Sequence, residues 1–261
     1  LLTQTATHQT RYYRSYTDDF VTTNQQHQSL SAGFKWLHTN PVYRATANVV
    51  YRLFRLIGWL YWRLWRGVRI QNRAVLKPYR HTGIFLYGNH TQPVGDVFMP
   101  MLVTKPQRVD TLAAPANLGV PVIGRVVPMG ALIVPSDFHQ MPAFTQAIRA
   151  RLAENRAIMV YPEAHVWPYY TKIRPFSRAT FHYPVAAKAP TFSVTTTYQR
   201  SHWRHRPAMT VFVDGPFFPD AALTATQQQE QLCQQVTAQL KKRCRDHNTI
   251  EYIHYEREAS K

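Results

Sequence analysis

Apolar and polar positions alternate along the chain with two different periods. From Gly83 onward, short apolar runs of strand length are interleaved with helix-period segments, which predicts an α/β domain. Gly83 to Tyr87, Ala131 to Val134, Ala157 to Tyr161, Thr191 to Thr197 and Met209 to Val213 read as strands. Asp96 to Leu102, Pro142 to Leu152 and Thr226 to Cys244 read as helices; in the last, Leu232, Val236 and Leu240 recur every fourth residue, the mark of a surface helix with one buried stripe. The fold expected is a mixed central sheet flanked by helices and preceded by an amphipathic N-terminal helix.

That first helix spans Pro41 to about Gly67. At 100° per residue, Val50, Leu53, Phe54, Ile57, Leu60, Tyr61, Leu64 and Trp65 share one apolar face, while Arg52, Arg55, Arg63, Arg66 and Arg69 fall opposite, flanked by Trp59 and Trp62. An apolar face bordered by tryptophan, with arginines in reach of phosphate, suits a helix lying in a membrane interface. Phe54, Ile57, Trp59, Trp62, Arg63, Trp65 and Arg66 are the expected membrane contacts. An ordinary amphipathic helix packed on the domain, its arginines merely solvated, is the competing reading. Ahead of it, residues 1–34 form a polar extension rich in Thr, Gln, Tyr and Ser, without identifiable chemistry. The expected organisation is therefore 1–34 extension, 35–80 basic interfacial helix region and 81–261 catalytic domain.

Charge sharpens this. The 261 residues carry a formal net charge of +17, and no acidic residue occurs between Asp19 and Asp96. Such a balance implies a polyanionic partner, an anionic membrane surface or a nucleic acid. No zinc finger, RNA-recognition signature or helix-turn-helix pattern supports the nucleic acid. No apolar run approaches the roughly 20 residues of a spanning helix, and the first residues lack the pattern of a secretion signal. Cys233 and Cys244, placed roughly 16 Å apart on one helix, are too distant to bond, as suits a reducing compartment. The histidines show no HExxH arrangement, so no metal is implied.

The candidate chemistry lies in Gly88-Asn89-His90-Thr91-Gln92-Pro93-Val94-Gly95-Asp96, which follows directly on a strand, where α/β proteins build sites. Pro93 and Gly95 bend the chain so that Asp96 can return to His90. A carboxylate then fixes the imidazole tautomer, and the other ring nitrogen is available to take a proton from a hydroxyl. Glu163, behind a strand and the rigid Pro162, is placed to hold an acceptor hydroxyl or the structure around it, and His165 is an additional contact or an alternative base. Trp167, Tyr169 and Tyr170 read as packing or as the wall of a channel.

Four segments in order resemble the glycerolipid acyltransferases related to the lysophosphatidic acid acyltransferases: Asn89-His90 with Asp96; Gly119-Val120-Pro121-Val122-Ile123-Gly124 leading to Gly130-Ala131-Leu132-Ile133-Val134; Tyr161-Pro162-Glu163-Ala164; and Ala189-Pro190-Thr191-Phe192-Ser193-Val194. The resemblance covers roughly residues 45 to 215. It implies His90 and Asp96 as catalytic residues, no bound cofactor, an acyl thioester of coenzyme A or acyl carrier protein as donor, and a lysophospholipid or related lipid as acceptor. The setting implied is the inner, cytoplasmic face of the cell membrane, with the protein peripheral to it. Two departures stand out. The His to Asp spacing is one residue longer than the family's, with Gly95 where the acid would fall. Ser136 stands where the family places a phosphate-binding arginine, and His165 and Val166 where it has Thr and Arg. Arg125, Lys172 and Arg174 are the nearby candidates to replace the lost positive charge, since a guanidinium holds a phosphate bidentately. The alternatives are a basic module for anionic lipid or nucleic acid in which the His90 segment is structural, and a family member with altered activity.

Overall fold

The structure, a computed structural model, describes residues 9–21, 29–31, 33–120, 123–201 and 206–258. The strands are β1 (Gln9–Tyr13), β2 (Arg69–Gln71), β3 (Ile84–Gly88), β4 (Val109–Ala113), β5 (Ala131–Ile133), β6 (Ala157–Val160), β7 (Thr191–Gln199), β8 (Ala208–Phe217) and β9 (Ile253–Arg257). The helices are α1 (Pro41–Trp59), α2 (Gly95–Thr104), α3 (Met141–Ala153), α4 (His182–Ala187) and α5 (Ala225–His247). Seven strands form one sheet in the order β2-β8-β7-β3-β6-β4-β5. β3 to β7 run parallel, β8 is antiparallel to β7, and β2 runs with β8, so the sheet is mixed as expected.

The near-continuous apolar runs of β3 and β6 follow from burial on both faces. Ile84, Leu86, Ala157 and Met159 face a core shared with Tyr51, Trp62, Met99 and Leu102 of the α1 and α2 side. Phe85, Tyr87, Ile158 and Val160 face the opposite core, closed by Phe144, Ile148, Leu232, Val236 and Leu240 of α3 and α5. The four-residue stripe read on α5 is the buried one, extended by Cys244. β1, β2, β4, β9 and α4 are elements that the apolar pattern did not give.

Asn40 starts α1: its side chain accepts from Val42 N and Tyr43 N, and Pro41 needs no partner at the first position. Beyond Trp59 the chain continues in π-helical geometry over Leu60–Trp65 and turns away at Gly67, whose φ is +64°. The face that packs on the domain is not the broad apolar one. Ala47, Tyr51, Gly58 and Trp62 are buried, with Tyr51 Oη accepting from Val109 N at 3.0 Å. Gly58 admits the Phe98 ring, which would lie 2.8 Å from any Cβ there. Trp62, expected at the membrane, is only 3% exposed and packs under Gly95, and Phe54 is half-buried with its ring stacked on Phe98. The reason is close packing: the two helices meet where a glycine lets an aromatic ring in. Leu53, Leu56, Ile57, Trp59, Leu60, Tyr61, Leu64 and Trp65 are left facing outward. Among the described residues, no helix is long and apolar enough to cross a membrane.

Part of the N-terminal extension is built into the domain. β1 pairs in parallel with β9, and Tyr13 and Phe20 pack with Trp167, Tyr170 and Tyr255. Residues 1–8, 22–28 and 32 of the extension, and 121–122 of the second resemblance segment, lie outside the described residues.

Candidate active site

The site grows from the C-terminal ends of the adjacent parallel strands β3 and β6. After Gly88, the Asn89 side chain takes the place of one more ladder residue: Nδ2 donates to Thr196 O at 2.9 Å and Oδ1 accepts from Thr196 N at 2.8 Å. The backbone is thereby released from the sheet at His90. The loop it enters is pinned on every side. His90 N donates to Glu163 Oε2 at 3.0 Å, His90 O accepts from Trp167 N at 3.1 Å, and Thr91 O accepts from Tyr169 N at 3.0 Å. The Tyr198 hydroxyl meets Thr91 Oγ1 at 2.7 Å and accepts from Gln92 Nε2 at 2.9 Å.

His90 Nδ1 lies 2.8 Å from Asp96 Oδ2. The wider turn closes because Asp96 N donates to Gln92 O at 3.1 Å while Asp96 Oδ2 accepts from Gln92 N at 2.9 Å. Gly95 has no room for an acid: a Cβ there would meet Gln92 Cβ and the Trp62 ring, each at 2.8 Å. Asp96 sits in the first turn of α2, where the helix dipole favours a negative charge. Its side chain is 4% exposed against 20% for His90, so the carboxylate is enclosed and the imidazole reaches the surface. Among the described residues Nε2 has no partner. A partly exposed imidazole with one nitrogen held by a buried carboxylate can accept a proton from a bound hydroxyl at the other.

Tyr161 completes this arrangement, a role its sequence position did not announce. Its ring stacks on His90 at 4.4 Å between centroids and 15° between planes, and its hydroxyl donates to Asp96 O at 2.7 Å. Burial, then the neighbouring Asp96, raises the Tyr161 phenol well above its ordinary value, so it remains a donor.

Glu163 is a brace. It is buried, and its Oε1 accepts from Arg174 N at 2.8 Å while Oε2 takes His90 N and, at 3.3 Å, Arg174 Nη2. Burial pushes its carboxyl up against the pull of the Arg174 guanidinium. Arg174, expected to bind a phosphate, is 1% exposed and held by the protein through both terminal nitrogens: besides Glu163 it donates to Tyr16 O and His165 O and lies over the Trp167 ring, while its buried Nε has no acceptor among the described residues. A carboxylate buried without a cation would be costly, and Arg174 answers that need rather than a ligand's. His165 is half-buried with Nδ1 at 3.7 Å from Asp19 Oδ2, which brings the N-terminal extension to the rim of the site. Arg125 ends a 3-10 turn, Ile123–Arg125, between β4 and β5, Ser136 follows β5 and Lys172 lies in the segment after β6; all three are exposed, and among the described residues no hydrogen bond or ion pair joins them to His90 or Asp96. Ser136 Oγ accepts from Leu30 N at 2.9 Å. Ala164 takes the place of the glycine in the resembling motif and holds φ +61°.

No family model and no curated protein matches the chain. Among solved structures, the fold is similar to the crystal structure of the 1-acyl-sn-glycerophosphate (LPA) acyltransferase, PlsC, from Thermotoga maritima, with a TM-score of 0.55, 11% identity, and 79% of this chain and 84% of that chain covered. That likeness is one of fold: a mostly parallel mixed sheet with helices on both faces.

Proposed function

We propose that this protein is an O-acyltransferase working at a membrane surface, with His90 as general base and Asp96 as the residue that orients it. The observation that carries the reading is the 2.8 Å contact of His90 Nδ1 with a buried Asp96 carboxylate at the end of a parallel strand, in a fold like that of a solved acyltransferase. His90 Nε2 takes the proton of an acceptor hydroxyl as its oxygen attacks the carbonyl carbon of an acyl thioester. The C–S bond then breaks, the thiolate leaves and is protonated, and an ester remains. The donor is an acyl thioester of coenzyme A or acyl carrier protein, and the acceptor a lysophospholipid or related lipid, as in phospholipid biosynthesis.

The membrane part of the proposal rests on α1. The buried face of its π-helical continuation reaches the site, since Trp62 packs beneath Gly95, and Val94 and Val97 near that contact are exposed, as is the outward apolar face of α1. A lipid acceptor entering from a bilayer would meet this surface first. We place the protein at the inner, cytoplasmic face of the cell membrane on the strength of its basic charge.

The test is acyl transfer by the purified protein from long-chain acyl-coenzyme A and acyl carrier protein to a panel of lysophospholipids and glycolipids. His90→Ala is expected to lower the rate by about 10²–10⁴-fold in a protein that still folds. Wild-type rates in a folded His90→Ala protein would reject the proposal.

A further inference from the structure

Two adjoining cavities, of about 180 and 220 Å3, lie between the end of α1, β2, the 3-10 turn Arg73–Tyr79 and the end of α2, and they share Arg73 and Lys105. Neither involves a residue of the His90 site. Lys77 and Arg80 line the first, Arg63 and Trp59 the second, and no carboxylate lines either. Among the described residues none of these five cations has a carboxylate within ion-pair distance. Four of the five come from the stretch that has no acidic residue.

Arg73 is fixed in place. Its Nε donates to Val103 O at 2.8 Å and Nη2 to Lys105 O, so it satisfies carbonyls at the end of α2, and among the described residues Nη1 is left without an acceptor. Burial, then repulsion from Arg80 and Arg63, holds its guanidinium below the ordinary value. Cations gathered in a concave place without a counter-charge leave an electrostatic cost that an anion relieves.

We propose that this groove binds the phosphate headgroup of an anionic lipid. Trp59 and Arg63 bring the groove to the same end of α1 as the exposed Leu56, Leu60 and Leu64. A lipid whose tails lie against those leucines therefore has its phosphate beside the groove, and the indole at the boundary suits a headgroup depth. The inference deepens the membrane part of the proposed function and is independent of acyl transfer.

The experiment is co-sedimentation with phosphatidylcholine vesicles containing or lacking phosphatidic acid, with no acyl donor present. Lys77→Gln/Arg80→Gln/Lys105→Gln is compared with Arg149→Gln/Lys241→Gln/Lys242→Gln, which removes the same charge from exposed positions on α3 and α5. The groove variant is expected to lose at least about tenfold in affinity for phosphatidic acid vesicles and the control less than about threefold. Equal losses, or none in either, would overturn the site. Inorganic phosphate and coenzyme A are titrated in the absence of vesicles; saturable binding of either that the groove variant abolishes, with vesicle binding intact, would overturn the lipid assignment. Acyl transfer to a water-soluble acceptor is measured in parallel, so loss of vesicle binding and failure of the catalytic reading are told apart.

Discussion

The Tyr161 hydroxyl donates to the Asp96 carbonyl at 2.7 Å, while the Tyr161 ring lies on the His90 imidazole. One side chain from the end of β6 thus holds both members of a pair formed after β3, and closes a loop one residue longer than its resemblance implies. Tyr161→Phe keeps the ring and removes the donor. We expect a stability loss of about 1 kcal/mol and a fall in kcat of about tenfold with little change in KM, since positioning and not binding is lost. Steady-state kinetics and thermal melts check both. An unchanged kcat would reduce Tyr161 to packing.

Asp96→Asn leaves the volume intact but removes the charge that fixes the His90 tautomer. Acyl transfer is expected to fall at least about a hundredfold. Since Asp96 Oδ2 also accepts from Gln92 N, the loop should loosen too, visible as faster amide exchange at Gln92.

Arg174→Leu leaves the Glu163 carboxylate buried without its cation. The cost expected is about 3–5 kcal/mol, read by denaturant unfolding. The Arg174→Leu/Glu163→Leu protein should lose less than the sum of the two single variants, because the two side chains are paired. A nearly neutral Arg174→Leu would mean that this residue does not support the His90 loop.

Backbone space and conformation make opposite demands at Gly95 and Ala164. Gly95→Ala forces a methyl against Gln92 and the Trp62 ring, and should cost about 1–3 kcal/mol and displace Asp96. Ala164→Gly relieves a left-handed conformation at φ +61° and should raise stability by about 0.5–1 kcal/mol. Melting curves of the two variants should move in opposite directions.

The two faces of the π-helical continuation of α1, Leu60–Trp65, should respond differently to the same kind of change. Leu60→Ser/Leu64→Ser/Trp65→Ser alters exposed positions, so folding should be unaffected while vesicle binding falls at least about tenfold. Trp62→Ser, in the core, should cost about 3–5 kcal/mol instead. Vesicle binding unaffected by the triple change would remove α1 from the membrane surface.

The local pattern of this chain determined the strands around the site, though not their direction, the buried stripe of α5 and the strand-to-turn exit that carries His90, because periodicity and turn chemistry are properties of neighbouring residues. It was also enough to mark a basic, acid-free stretch. Tertiary structure alone decided the rest. Sequence showed α1 as amphipathic, yet its widest apolar stripe faces outward; which stripe is buried depended on Gly58 admitting Phe98 from another helix. β1 and β9 carry mostly polar and charged residues and no apolar run, so the pattern does not announce them; each exists as the other's partner across the chain. Arg174 looked like a phosphate ligand until Glu163 claimed it. His90 and Asp96 remained candidates on spacing, and their contact at 2.8 Å was settled by Gln92, Tyr161 and Trp62, which hold the longer turn closed. Burial and pairing are decided by residues distant in sequence, and a local pattern cannot contain them.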